Sequence, residues 1–313
     1  MTKVWSYGIA MLDVIVHPIE VWPSPGQLVL CEHGMLVPGG VALNTAVTVA
    51  RLGGNAGLIA GLGQDAAGRA VRQVLAREGV NASKIITLRD RSTGFCIVGI
   101  DKSSERSLVA HVGANAHLHP EHVDWAGVEA GDYLHVGGCF AMPNLRGDFL
   151  STLIDIATER GLRVSLESAW DVTGTWLRGA EGAIAAVDVF MASEQEATGM
   201  TGIEDPEAAC AALGAYGPQV VVVKAGERGA FVWKGGSVTH YAGHVVELVD
   251  ATGAGDTFCG GLLFALSQGW DIERAVRLAN AVGAMNVTAV GATGGVRDLP
   301  TTLAFMRAQG DQG

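Results

Sequence analysis

The sequence predicts an α/β domain built on a parallel sheet with helices on both faces, plus a small β-sheet standing off it. Three observations predict this. Short β-rich apolar runs alternate with segments of helical spacing along most of the chain. A length of 313 residues suits one α/β domain carrying an inserted subdomain. Hydrophobic residues make up 49% and charged residues 17%, so a substantial core is available.

The first element is "VWSYGIAML" (4–12), an apolar strand with Asp13 at its end. Residues 14–38 are rich in Pro and Gly and hold extended pieces such as "QLVLCEHGMLV", with no helix to cover them. "ALNTAVTVARLG" (42–53) has helical spacing and stops at a glycine, as a C-terminal cap requires. "AGLIAGLG" (56–63) reads as a short buried strand, and "AAGRAVRQVLAREGV" (66–80) as an amphipathic helix. "RSTGFCIVGIDKSSERSLVAHV" (91–112) reads as two strands around the polar turn "DKSSER". With 14–38 it makes the small sheet, suited to a lid, a contact with a second copy, or both.

Alternation then resumes. "DYLHVGG" (132–138), "LRVSLES" (162–168), "VDVFMAS" (187–193) and "QVVVVKAG" (219–226) are strands. "FLSTLIDIATERG" (149–161) and "PEAACAALGAYG" (206–217) are helices between them.

The formal net charge is −11 and no basic run reaches five residues, which disfavours nucleic acid and anionic membranes as partners. No apolar run reaches the ~18 residues of a membrane span. The N-terminal stretch carries Asp13 and no small-residue cleavage site, so it reads as a strand and not as a signal peptide. The five cysteines, at 31, 96, 139, 210 and 259, form no CxxC pair. Free thiols and a cytoplasmic location are the expectation. Four histidines crowd "HVGANAHLHPEH" without the spacing of a zinc site, so this stretch reads as a polar connection.

The chemistry concentrates in "DATGAGDTFCGGLLFAL" (250–266). Phe258, Leu262, Ala265 and Leu266 recur at helical spacing, so a helix starts near Gly255. A helix N-terminus offers unpaired N–H groups and partial positive charge, and small residues let an anion approach them. Asp256 beside such a nest is placed to take a proton from a hydroxyl that attacks a phosphoryl group. An acid in a first helical turn is also an ordinary cap, and this segment alone leaves both readings open. There is no GxxxxGK[ST] loop, and no GxGxxG follows the first strand.

A second segment, "GGVALNTAVTVARLGGNAGLIAGLG" (39–63), pairs glycines with an Asn and spaced glycines beyond it. Together with "DATGAGDTFCGG" it resembles the two signatures of the ribokinase (PfkB-type) family of carbohydrate kinases. The resemblance covers the whole chain, 1–313, as one kinase domain with lid segments about 14–38 and 91–112. It implies a three-layer α/β/α domain with a β-lid, and ATP-dependent phosphorylation of a sugar or nucleoside hydroxyl.

The resemblance further implies site roles. Asp256 is the catalytic base, and Gly253, Ala254 and Gly255 form the anion hole. Asp13, Gly39, Gly40 and Asn44 bind the acceptor, with Asn115 of "GAN" a weaker candidate. "VVVKAGERGA" (221–230) puts Lys224, Gly226 and Gly229 on the nucleotide side, and "LANAVGAMNVTAVGA" (278–292) adds Asn280 and Gly291. Glu196 organises Mg²⁺ through water, and Asp250 with Thr252 matches positions that bind a monovalent cation, K⁺. A homodimer through the lid is expected.

The chain departs from the family pattern in three places. "SEQE" (193–196) has Ser193 where the family's NxxE segment has Asn. Ala251 stands where Thr is frequent. "ESAWDVTGTW" (167–176) replaces the usual DxNxR run. The acceptor is therefore unnamed by sequence. A monosaccharide leads, and a nucleoside kinase or a catalytically silent sugar or nucleotide sensor are the alternatives.

Overall fold

The computed structural model describes residues 2–102, 106–142, 145 and 147–311. The expected "DKSSER" turn falls partly on 103–105, outside the described residues.

The chain begins with β1 (Lys3–Gly8), where Val4 packs into one core and Trp5 and Tyr7 into another. Alternate side chains face opposite sides of a strand. Burial on both sides explains an apolar run without alternation. The chain leaves β1 at Gly8, whose φ is +147° and where a Cβ would stand 2.5 Å from Gly137 O. It re-enters a different sheet as β2 (Met11–His17) and β3 (His33–Gly39). This corrects the single strand expected across 4–12. Glycine permits the break, and Asp13 becomes the third residue of a lid strand.

From β3 the chain passes directly into α1 (Val41–Arg51), which Gly53 ends at φ +92° with its N–H on Ala50 O. β4 (Asn55–Ile59) and β5 (Gly61–Gly63) divide the run expected as one strand. The Asp65 carboxylate caps α2 (Ala66–Arg77) by accepting from Gly68 N. β6 (Ile86–Leu88) pairs with β5, and β7 (Gly94–Ile100) and β8 (Arg106–His111) are the remaining lid strands.

The alternation continues through β9 (Tyr133–Gly137), α3 (Asp148–Glu159), β10 (Arg163–Glu167), α4 (Glu181–Ala185) and β11 (Val189–Ser193). Then follow α5 (Glu194–Thr201), α6 (Pro206–Gly214), β12 (Val220–Lys224), β13 (Ala230–Lys234) and β14 (Ser237–Tyr241). α7 (Ala254–Ser267), α8 (Ile272–Asn286) and α9 (Leu299–Ala308) close the described chain.

Among the described residues the main sheet runs β14-β13-β12-β11-β10-β9-β1-β4. It is parallel from β4 to β12, but β13 and β14 are antiparallel. The wholly parallel sheet expected from sequence is corrected at that edge. Only Gly235 and Gly236, both at positive φ, separate β13 from β14, too few residues for a crossover helix. Helices α1, α7 and α8 cover one face, while α3 and α6 cover the other, giving three layers. The lid is a second sheet in the order β3-β2-β7-β8. Among the described residues, no helix is long and apolar enough to cross a membrane.

Candidate active site

The site forms where β1 hands the chain to the lid, where the lid returns it to α1, and where α7 begins. Gly253, at φ +71°, turns the chain into α7; a Cβ there would stand 2.1 Å from Ala292 O. The N–H groups of Gly255 and Asp256 lie in the first turn, where a helix supplies no acceptor. The Ala254 N–H is partly spent on Ala251 O at 3.3 Å. α1 and α7 cross closely, because a Cβ at Gly260 would stand 2.5 Å from Thr48 Cβ. That approach lets Asn44 Nδ2 donate to Asp256 Oδ2 at 2.7 Å, and Thr45 Oγ1 donate to Asp256 O at 3.2 Å.

Asp256 keeps part of its surface open. Protein atoms still surround its carboxyl closely enough to push it up to about 7; burial is the main cause and the Glu167 charge the next. Asn44 is 4% exposed, and its Oδ1 is buried with no partner among the described residues. A buried acceptor without a donor is costly, so it marks a place for a ligand donor.

Asp13 is near enough to this pair for its charge to act on Asp256. A Cβ on Gly39 would stand 2.2 Å from Asp13 Oδ2, so Gly39 alone lets the carboxylate sit against the backbone. Gly40 has φ +101°, and a Cβ there would meet Ile9 O at 2.5 Å. Both glycines are thus required by the fold as well as by the site. Burial raises the Asp13 carboxyl to about 6.

Lys224 ends β12, and its ammonium is ion-paired with Glu167 at the end of β10. Its Nζ also lies 3.6 Å from Cys259 Sγ, and a Cβ on Gly255 would stand 3.1 Å from it. Burial disfavours the ammonium, but nearby Cys259, Glu167 and Glu196 outweigh this and raise its pKa. Burial likewise disfavours the Glu167 carboxylate, but Lys224 and His135 hold it well below the usual range. Glu167 Oε2 lies 3.6 Å from His135 Nε2, and His135 Nδ1 lies 3.0 Å from Ser165 Oγ.

Ser193 has a local reason to stand where Asn is usual. It caps α5: Ser193 Oγ accepts from Glu196 N, and Ser193 N donates back to Glu196 Oε2. Ser168 Oγ donates to the same oxygen at 2.7 Å. The other Glu196 oxygen takes no hydrogen bond from a described residue.

Gly226 and Gly229 have positive φ and shape the turn after β12; a Cβ on Gly229 would stand 2.1 Å from Tyr241 O. Three expected ligand residues also hold backbone groups. Asn115 is buried, accepts from Ala10 N, and donates to Ala10 O and Val112 O. It braces the β1–β2 corner. Asn280 Nδ2 donates to Tyr241 O and Ala242 O, each at 3.1 Å. The Asp250 carboxylate accepts from Thr252 N and from Gly291 N, tying the approach to the nest onto the turn after α8. Glu167 and His135 were not singled out as site residues from sequence. A signal existed for Glu167: "LRVSLE" and "VVVVK" each close an apolar strand on a charge of opposite sign.

Residues 1–299 match the model of the pfkB family carbohydrate kinases. The chain is 30% identical over 301 residues to a ribokinase of Haemophilus influenzae, covering 93% of this chain and 94% of that one. A solved fructokinase double mutant from Vibrio cholerae O395, bound to fructose, ADP and potassium ion, is 28% identical. It superposes with a TM-score of 0.83, covering 97% of this chain and 98% of that one. A putative ribokinase II from E. coli, in complex with ATP and Mg²⁺, gives a TM-score of 0.84 at 25% identity, covering 98% of this chain and all of the other. With the family model spanning nearly its whole length, the chain belongs to the pfkB family of carbohydrate kinases, phosphotransferases that act on a hydroxyl acceptor.

Proposed function

We propose that the protein transfers the γ-phosphate of ATP to a hydroxyl of a monosaccharide, with Asp256 as the general base. The observation that carries this reading is the Asn44–Asp256 contact with the Asp13–Gly39 contact near enough for the Asp13 charge to act on Asp256. The first leaves a buried unpartnered acceptor, and the second a carboxylate laid against bare backbone. A polyol suits that pair, because its hydroxyls both donate and accept. The acceptor hydroxyl gives its proton to the Asp256 carboxylate. Its oxygen forms a bond to the γ-phosphorus as the bond to the β–γ bridging oxygen breaks, and ADP leaves. The Gly255 and Asp256 N–H groups and the helix N-terminus stabilise the charge on the transferring group.

The nucleotide lies along the nest, Lys224 and the Gly226–Gly229 turn. Glu196, with one carboxylate oxygen unspent, suits a hydrated Mg²⁺, which neutralises phosphate charge when bound. Asp250 and Thr252 sit beside the nest, as the K⁺ reading needs. Four of the five cysteines are buried and, among the described residues, none forms a disulfide, which supports a cytoplasmic location. Exposed Leu36 and Val109, on one face of the lid, support a homodimer through that sheet.

The test is ADP release from the purified protein with ATP, Mg²⁺ and a panel of sugars, sugar phosphates and nucleosides. Turnover with a free sugar supports the reading. Turnover with nucleosides alone would replace the acceptor, and ATP or sugar binding without turnover would leave a sensor.

A further inference from the structure

On the α7 side of the sheet a polar row lies among apolar neighbours. Ser6, His135 and Ser165 are neighbours across β1, β9 and β10, and Glu167 and Lys224 follow at the strand ends. All three of the first group are fully buried, and Glu167 is nearly so. As a brace this row is poor. Ser6 Oγ, His135 Nε2 and Glu167 Oε2 have no hydrogen-bond partner among the described residues, and a buried ion pair adds little stability over apolar side chains of the same size.

We propose that this ion pair works in phosphoryl transfer: Glu167 is a positioning residue that holds the Lys224 ammonium against the Gly255 nest, where it meets the charge of the transferring group. The inference rests on the kinase reading above. Gly255 is part of the argument, because any side chain there would intrude on Lys224 Nζ. Charge balance is the other part. Glu167 and Asp13 both act on Asp256 as negative charges, and Lys224 as a positive one. A triphosphate entering beside those carboxylates needs a cation held in place. A fixed ammonium in a site screened from water is worth far more there than in solvent. His135, held by Ser165, backs the remote Glu167 oxygen and keeps the carboxylate turned toward Lys224.

A double substitution separates a working pair from a brace. Lys224→Met alone strands a buried carboxylate and should lower the melting temperature. Adding Glu167→Gln should restore it. In that double variant ADP affinity should stay as in wild type. The preference for a non-hydrolysable ATP analogue over ADP should fall about tenfold, and kcat about 100-fold or more. Recovery of kcat together with the melting temperature would overturn the proposal. If the double variant does not fold, Glu167→Asp keeps both charges and retracts one. It should lose about tenfold in kcat with ADP affinity unchanged, and wild-type kcat there would also overturn it. If no acceptor on the panel is turned over by the wild type, the acceptor reading fails separately. The ATP-analogue preference then still decides on the ion pair.

Discussion

Asp256 holds its carboxyl in an environment that resists ionisation, and this has two consequences at the scale of the residue. A base must be ionised to act, so kcat/KM should fall about tenfold per pH unit below about 7. A pH–rate profile flat from pH 8 to pH 5 would contradict this. The second consequence concerns stability. A carboxyl raised above its ordinary value of 3.8 costs the folded state increasingly as pH climbs from about 4 to about 7. Asp256→Asn removes that cost while keeping a side chain that Asn44 can meet. Calorimetry should therefore find the variant melting at or above wild type at pH 8, with the advantage shrinking toward pH 5. Asp13 acts on binding instead. Asp13→Ala should weaken acceptor affinity by ~1.5–3 kcal/mol and leave ATP affinity unchanged; unchanged acceptor affinity in titration calorimetry would move the acceptor elsewhere.

Elements carry the site by their ends. β3 stops at Gly39 and α1 starts two residues later, so the lid and Asn44, which donates to Asp256, are linked by almost no slack. β11 stops at Ser193, which caps α5 and so fixes Glu196. Ser193→Asn should preserve magnesium use, since Asn caps a helix as well as Ser does. Glu196→Gln should weaken it, since a carboxylate binds a hard hydrated cation better than an amide. Rates measured across a magnesium titration check both, and an unaltered Glu196→Gln curve would remove Glu196 from the metal site. Helices α1, α2, α3, α6 and α7 were legible because periodicity and caps are local. The break at Gly8 was not, because an apolar run reads alike whether it lies in one sheet or crosses between two. The β13–β14 hairpin has a local signal of its own, the Gly-Gly between two β-rich runs in "AFVWKGGSVTHY". The helix start that carries Asp256 was legible because it sits within one short segment. Sequence shows the amides of Asn115 and Asn280 but not the backbone carbonyls they meet.

For the whole molecule, the lid's outer surface is the feature left unpartnered. Leu36 on edge strand β3 is 66% exposed and Val109 on edge strand β8 is 56% exposed, and the register Leu36–Val14–Ile97–Val109 puts both on one face. Open edges with exposed apolar side chains on one face invite a second copy. Light scattering at micromolar concentration should give a dimer mass, and a monomer mass would contradict the lid contact. The fold itself brings Asp13 from the lid, Asn44 from α1 and Asp256 from α7 to one place, and the account stands on Asp256 as the base. The direct measurement is turnover and ATP affinity of Asp256→Asn on one preparation, with the melting temperature as control. The account predicts a kcat lower by about 10²–10⁴, ATP affinity near wild type and no loss of stability; wild-type kcat in that variant would contradict it.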